Sequence, residues 1–474
     1  MFRRTQFVSA GILLLAMLAG ACSSANDPAS GAEAPDAVAP DDPGERPTLA
    51  PVEVRSFPDS PPTPTGDLAD ETEEALAQLF GDSLSDGLFL GDDFAAIRTL
   101  GSSEDPRVGW LIADLLQFIR DEDVVASLTT ASGDLLGLDV SRFNVWGETI
   151  DHLIAWDTPA PPGYLDHKRS LYTLVLPAWG PLLVEGDIDW RHVAWGGVAI
   201  DDRPFDTTDE PCNCIPAADN PEVSSAEDAG WLADDSIVFG VTINGESRAY
   251  PRRVMEVREM VNDTLGGRDI AMPYCTLCGS AQVYFTDRLP DGVERPVLRT
   301  SGLLIRSNKV MYDITTQSVF DTFLGNAVTG PLAERDLVLE QATVVTSTWS
   351  DWKAAHPETT VLIEDLALGR DPDFRNGRDA DGPIFPVGDV DDRLAVQADV
   401  VGVTTRAGLP VAFPVDVAVD ALRRGESVAF DDITLELDGG GLRAIDATGA
   451  DVVAHQAFWF AWSQFHPDTE VWLP

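Results

Sequence analysis

The chain has 474 residues, of which 32 are basic and 79 acidic, giving a formal net charge of −47 at pH 7. A surface of this charge repels phosphate backbones, which argues against nucleic-acid-binding proteins, so no nucleic acid is expected as a partner. Only three of the basic residues are lysines: Lys168, Lys309 and Lys353. The length predicts two or three domains.

Residues 1–22 predict a lipoprotein-type signal peptide. Arg3 and Arg4 supply the positive start, and residues 7–21 form an apolar run that is too short to span a bilayer. The sequence LAGAC at 18–22 resembles a bacterial lipoprotein processing site, with Cys22 as the lipidated residue. An ordinary cleaved signal is the alternative. We expect an exported chain, held to a membrane on the extracytoplasmic side by a lipid anchor.

Residues 23–72 are rich in Ala, Asp, Pro and Ser and poor in large apolar residues. Such a segment buries too little surface to offset the entropy of ordering it, so we expect a disordered tether.

Residues 73–192 predict a helical domain, because apolar residues recur at helical spacing, as in Leu111, Leu115 and Ile119. Tryptophans are concentrated in this half of the chain. We interpret them as core and domain-interface residues. They are Trp110, Trp146, Trp156, Trp179, Trp190 and Trp195.

Residues 193–368 predict a β-rich domain. The run at 237–243 leads into Asn244-Gly245, a strong hairpin signal, and the chain returns at 246–250. Residues 369–474 predict a shorter second repeat. VFGV at 238–241 returns as VVGV at 400–403, and HPET at 356–359 returns as HPDT at 466–469. The expected fold class is α+β, a helical Trp-rich N-terminal domain followed by an internally duplicated, β-rich unit.

Besides Cys22 the chain contains two pairs of cysteines, Cys212/Cys214 and Cys275/Cys278, both in the first repeat. Four thiolates could bind Zn, Fe or Cu. Alternatively Cys275 and Cys278 could act in thiol redox chemistry, or both pairs could form structural disulfides. Because Cys-x-Cys encloses a tight ring, disulfides are expected across the two pairs rather than within them.

The residues after Cys278 disfavour the helix that a thioredoxin-like site requires. Gly279 and the β-like run 281–285 predict strand, turn and strand instead. In such a knuckle the glycine lets the backbone turn, so that amide N–H groups point at the sulfurs. This setting favours a loop-borne thiol site.

Seven motifs in order resemble a bacterial family of unknown function, the domain-of-unknown-function family 3179. They are IPAADNP, VFGVTINGESRAYP, VNDTLGG, YCTLCGSA, SGLLIRSNKVMYD, GPLA and WSDWKAAHPET, within residues of about 193–474. Relatives commonly have Trp-His-Glu where this chain has Val257-Arg258-Glu259. A ligand or base role of that histidine would therefore be lost here. The resemblance implies no particular reaction.

Other residues are weaker candidates. Arg306, Asn308, Tyr312 and Asp313 could line a pocket near the thiols, or could simply belong to a turn and a strand. His192 is a further candidate for the site. Two histidines, at 356 and 466, occur once per repeat, which favours a structural turn role over catalysis.

The leading hypothesis is a metal- or thiol-dependent site at Cys275 and Cys278, with Cys212 and Cys214 as partners. The alternative is a non-enzymatic lipoprotein that interacts with a ligand or a surface, in which the cysteines are structural disulfides. Both hypotheses leave open whether the protein is an enzyme and which small molecule or protein it binds.

Overall fold

A computed structural model describes residues 55–84, 91–140, 144–207, 212–364 and 382–474. The predicted signal peptide and residues 23–54 of the predicted tether lie outside this part. Two contacts join the first described residues to the helices that follow: Arg55 pairs with Glu148 at 2.8 Å, and the Trp156 indole donates to the Pro58 carbonyl. Contacts between residues so far apart leave no local signal in the sequence.

The N-terminal half is helical, as predicted. Its α-helices, one of which continues into a π-helical turn at Gln78–Ser83, are Asp70–Ala77, Gly91–Gly101, Gly109–Phe118, Glu122–Leu136, Val145–Ala155 and Tyr164–Val175. Trp110 and Trp179 are fully buried among them, and the Trp179 indole donates to the carbonyl of Ser301 at 2.8 Å. The tryptophan core thus also joins the helices to the sheets.

The remaining helices are shorter and alternate with strands. They are Arg252–Arg258, Gly330–Ala333, Trp349–Ala355, Val415–Arg423 and Trp459–Phe465.

Strands fill the rest of the described chain. They are β1 (Val193–Trp195), β2 (Ala218–Asp219), β3 (Val223–Ser225), β4 (Ile237–Ile243), β5 (Glu246–Pro251), β6 (Met260–Leu265), β7 (Arg268–Cys275), β8 (Ser280–Ala281), β9 (Val283–Phe285), β10 (Leu298–Ile305), β11 (Asn308–Asp313), β12 (Val319–Asp321), β13 (Gln341–Ala342), β14 (Val345–Thr348), β15 (Thr360–Leu362), β16 (Asp399–Thr404), β17 (Pro410–Pro414), β18 (Val428–Phe430), β19 (Ile433–Asp438), β20 (Gly441–Asp446), β21 (Asp451–Val452), β22 (Ala454–Phe458) and β23 (Glu470–Val471).

The strands form five small sheets, so the fold is α+β. Their orders are β1-β10-β11-β12; β13-β9-β7-β6-β2, with β8 paired to β7; β14-β4-β5-β15-β3; β22-β16-β17-β23; and β18-β19-β20-β21. The first sheet packs its outer face on the helices, since Val310 and Tyr312 share one buried cluster with Trp110 and Trp179. No helix in the described ranges is both long and apolar enough to cross a bilayer.

Two of the sheets repeat one arrangement. In each, a hairpin (β4–β5 or β16–β17) gains an antiparallel strand on one side (β14 or β22) and a parallel strand on the other (β15 or β23). A helix that begins with Trp follows the third strand in both, Trp349–Ala355 and Trp459–Phe465. The segments that recur in the sequence therefore belong to a repeated four-stranded unit. Its two copies are called here the first and second repeat. Residues 252–344 are inserted between β5 and β14, and they carry the CxxC motif.

Candidate functional site

The CxxC motif forms the turn between β7 and β8. Cys275 is the last residue of β7 and pairs with Ser280 of β8, while the Cys278 amide donates to the Cys275 carbonyl at 3.2 Å. Gly279 has a φ of 61°, a left-handed conformation that glycine adopts without steric cost. Residues 275–279, called here the CxxC turn, confirm the predicted strand–turn–strand setting.

The four cysteines are paired within each motif. Cys212 and Cys214 lie at disulfide distance with a Cα separation of 5.1 Å, and Cys275 and Cys278 do so at 5.3 Å. The expected pairing across the motifs is wrong. Both separations fall inside the range that a disulfide spans, so even the tight Cys-x-Cys ring closes. The structure therefore does not assemble the four cysteines as one ligand set, and it describes no group of three or more His, Cys, Asp or Glu that could hold a metal ion.

A carbonyl oxygen faces both sulfurs of the CxxC turn. The Ser307 oxygen lies 3.9 Å from the Cys275 sulfur and 3.7 Å from that of Cys278. We expected amide N–H groups there, which would stabilise thiolates. The negative end of a carbonyl dipole instead disfavours a thiolate and can accept a hydrogen bond from a neutral thiol.

The β10–β11 hairpin places this carbonyl through an unusual backbone. Its two turn residues, Arg306 and Ser307, have φ values of 43° and 66°, a conformation that costs about 1–2 kcal/mol for each non-glycine residue. The β4–β5 hairpin makes its turn with Asn244-Gly245, and the β6–β7 hairpin uses two glycines. The turn that touches the disulfide thus places two consecutive non-glycine residues in a strained conformation.

A buried ion pair lies beside the CxxC turn. Lys309 donates to one carboxylate oxygen of Glu259 at 3.0 Å, and the Thr276 hydroxyl donates to the other at 2.6 Å. All three side chains are buried. Thr276 lies between the two cysteines, so the carboxylate is joined directly to the CxxC turn.

The second repeat covers the disulfide. The Phe458 amide donates to the Cys278 carbonyl at 2.8 Å, and its ring packs on Gly279. Cys275 and Cys278 belong to one apolar cluster with Trp459 and Trp462, and they are only 2% and 0% exposed. His455 lies at the edge of this cover, and burial lowers its pKa to about 3.

Several buried polar atoms around the turn have no hydrogen-bond partner in the described chain. They include the hydroxyls of Ser280 and Ser307 and the side-chain amide of Gln282. Because Ser280 pairs directly with Cys275 across β7 and β8, their side chains lie on the same face. Hydrogen-bonding groups next to the sulfurs therefore lack partners among the described residues.

The predicted pocket residues do not share one pocket. Arg306 and His192 line a small cleft between the helices and β10, and burial lowers the pKa of His192 to about 4. Asn308 donates to Gln464 of the second repeat at 3.1 Å. Tyr312 donates its hydroxyl to the Asp201 carbonyl, and Asp313 accepts from backbone amides in the turn after β11.

The two repeat histidines are structural. His356 stacks on Trp352 with ring centroids 3.9 Å apart, and His466 stacks on Trp462 at 4.0 Å. His356 also pairs with Asp438 at 2.7 Å, a contact between the repeats.

Sequence reasoning missed Ser307, Glu259 and Lys309 as parts of the site. Lys309 alone carried a signal, since it is one of three lysines and stands in an otherwise buried strand. Nothing local pairs it with Glu259, which is 50 residues away.

Comparison with known proteins places the chain in a family. No curated protein and no solved structure matches it. The sequence profile of one family, described as "Protein of unknown function (DUF3179)", matches residues 212–448, which is half of the chain and includes all four paired cysteines. The protein therefore belongs to the DUF3179 family, as its ordered motifs predicted.

Proposed function

We propose that the protein is a thiol–disulfide redox protein whose reactive bond joins Cys275 and Cys278. One observation carries the proposal: the Ser307 carbonyl faces both sulfurs. An oxidised pair has no S–H to donate, whereas a reduced pair has two. The carbonyl therefore stabilises the dithiol relative to the disulfide and raises the reduction potential.

The reaction takes two electrons and two protons from a dithiol reductant. A thiolate of the reductant attacks one sulfur, the bond between Cys275 and Cys278 breaks, and the other sulfur leaves as a thiolate that takes up a proton. The second thiol of the reductant then attacks the mixed disulfide. The reductant departs as a disulfide and the protein holds two thiols.

Access requires a local opening, because the sulfurs are only 2% and 0% exposed. The second repeat is the cover, so exchange proceeds when it separates from the CxxC turn. This cover also slows the access of thiols to the site.

The metal-binding alternative has less support. Cys212 and Cys214 are bonded to each other, so they are not available to Cys275 and Cys278 as ligands. The carbonyl at the sulfurs also opposes the thiolate form that a metal requires.

The second candidate, a structural disulfide in a non-enzymatic protein that interacts with a ligand or surface, is favoured by the burial of both sulfurs. The two candidates are separated in a variant carrying Cys212→Ser and Cys214→Ser, which leaves one disulfide in the folded chain. The variant is equilibrated in dithiol buffers, and free thiols are counted by alkylation and mass spectrometry. We expect reversible reduction above about −300 mV with circular dichroism unchanged. Thiols that appear only when the protein unfolds would establish the structural role instead.

We also propose that the chain is exported and anchored by a lipid on Cys22, as residues 1–22 support. Mass spectrometry of the N-terminal peptide from membrane-bound protein tests this. We expect a lipid-modified cysteine as the first residue, and an unmodified terminus would contradict the anchor.

A further inference from the structure

The buried pair of Glu259 and Lys309 is costly for the fold. Removing two charges from water carries a desolvation penalty that their attraction offsets only in good geometry. The second repeat has no such pair: no charged residue is buried among the described residues 399–474. Glu259 and Lys309 both lie in the insertion 252–344, outside the four strands that the repeats share, so those strands do not require the pair.

Glu259 is attached to the CxxC strand on both sides of Cys275. Its carbonyl accepts the Tyr274 amide at 3.0 Å, and its carboxylate accepts the Thr276 hydroxyl. It also holds a left-handed backbone with a φ of 50°, a strained conformation for glutamate. The carboxylate thus has a fixed position relative to the disulfide.

Lys309 approaches from β11, a strand of a different sheet. It follows Ser307, whose carbonyl contacts both sulfurs, by two residues, and its ammonium group reaches Glu259. All these groups belong to the first repeat and its insertion. They therefore stay together when the second repeat separates.

We propose that the positive charge of Lys309, held at the CxxC turn by Glu259, stabilises the transient thiolate that forms when the Cys275–Cys278 bond breaks. The Ser307 carbonyl favours neutral thiols at the end of the reaction, but it opposes the thiolate on the way there. A nearby cation offsets this destabilisation of the thiolate by the carbonyl. The Glu259 carboxylate holds the cation in place and partly neutralises its charge. This inference rests on the redox function proposed above.

The test measures the rate at which dithiothreitol reduces the disulfide in the folded chain with Cys212→Ser and Cys214→Ser. Lys309→Met leaves an uncompensated carboxylate beside the CxxC turn, so reduction should slow about tenfold. Glu259→Gln keeps an acceptor for Lys309, its amide N–H can donate to the Thr276 hydroxyl, and the negative charge is removed, so reduction should accelerate by a similar factor. Lys309→Arg keeps the charge and should restore the rate. The equilibrium potential should change little, because both end states are neutral.

Lys168→Met is the matched control. Lys168 and Asp114 form a buried pair at 2.7 Å in the helical half, outside the cluster that contains the disulfide. The control should lose stability without slowing reduction. Lost stability alone makes opening easier, so a purely structural role predicts faster reduction in both Lys309→Met and Glu259→Gln.

Opposite shifts with rescue by Lys309→Arg support the inference; equal shifts, or none, overturn it. If Lys309→Met does not fold, Glu259→Gln decides together with its free energy of unfolding. Acceleration without lost stability supports the inference; slowing, or acceleration that comes with lost stability, overturns it. A disulfide that resists reduction in the folded parent variant would refute the redox function itself, which is a different result.

Discussion

The two repeats share one structural unit but differ in their relation to the CxxC turn. Each places a glycine, Gly240 or Gly402, against the ring of a tryptophan, Trp352 or Trp462. In each, that indole donates to a threonine hydroxyl, at 3.0 Å in the first and 2.9 Å in the second. The first repeat has the CxxC turn in its insertion, whereas the second lacks it and covers it. The comparison separates what builds the scaffold from what builds the site.

Each repeat also receives a turn from the other. The glycine turn between β19 and β20 packs on Trp352 of the first repeat, while the CxxC turn packs on Phe458 of the second. The two turns make contacts at similar positions, but they carry different chemical groups. The glycine turn offers only backbone groups, such as the Gly439 carbonyl that accepts from the Ser347 hydroxyl, whereas the CxxC turn carries a reducible bond.

Removing the two tryptophans gives the largest expected effect. Trp352→Ala and Trp462→Ala should each lower the free energy of unfolding by about 3–5 kcal/mol, because each ring fills a core. Trp462 shares its cluster with the cysteines and Trp352 does not, so only Trp462→Ala should also speed reduction of the disulfide. Urea unfolding and thiol alkylation measure the two effects. Equal acceleration in both variants would show that the second repeat is not the cover.

Filling the glycine positions should have a smaller effect. A Cβ at Gly240 or Gly402 would overlap the tryptophan ring, so Gly240→Ala and Gly402→Ala should each cost about 1–3 kcal/mol. Gly230→Ala is the control, since nothing lies within 4 Å of its added carbon. Urea unfolding at neutral pH measures all three. A cost in only one repeat would contradict the equivalence of the two units.

The smallest effect is the pH dependence of His455. It pairs with Gly402 where the first repeat pairs Val345 with Gly240. Burial lowers the pKa of His455 to about 3, with His466 adding to the effect. The unfolded chain therefore binds a proton before the folded one, and stability is lost as pH falls from about 6.5 towards 3.

Replacing His455 by valine should remove that loss. His455→Val should be less sensitive to acid than the parent chain, by up to about 2 kcal/mol between pH 7.5 and pH 5. Urea unfolding at the two pH values gives the change in the free energy of unfolding for each chain. The carboxylates that both chains share contribute equally, so the difference between the chains reports His455. Parallel pH profiles would show that the fold does not lower the pKa of His455.

Features that depend on neighbours in sequence could be predicted. Helical spacing at Leu111, Leu115 and Ile119 predicted a helix, and Asn244-Gly245 predicted a hairpin, because backbone preference and side-chain period act over a few residues. Gly279 predicted the CxxC turn for the same reason. The echo of VFGV in VVGV indicated the duplication.

Features that depend on packing could not. Only the tertiary structure paired each cysteine within its own motif, turned the Ser307 carbonyl towards two sulfurs about 30 residues away, and joined Lys309 to Glu259. These contacts depend on how three sheets and the second repeat meet, and no local pattern encodes the distance between segments so far apart. The sequence by itself thus determined the strand–turn–strand motif that carries the thiols. Tertiary packing decided their partners and their environment, because charge, burial and hydrogen bonding at a sulfur are set by whatever lies beside it in space.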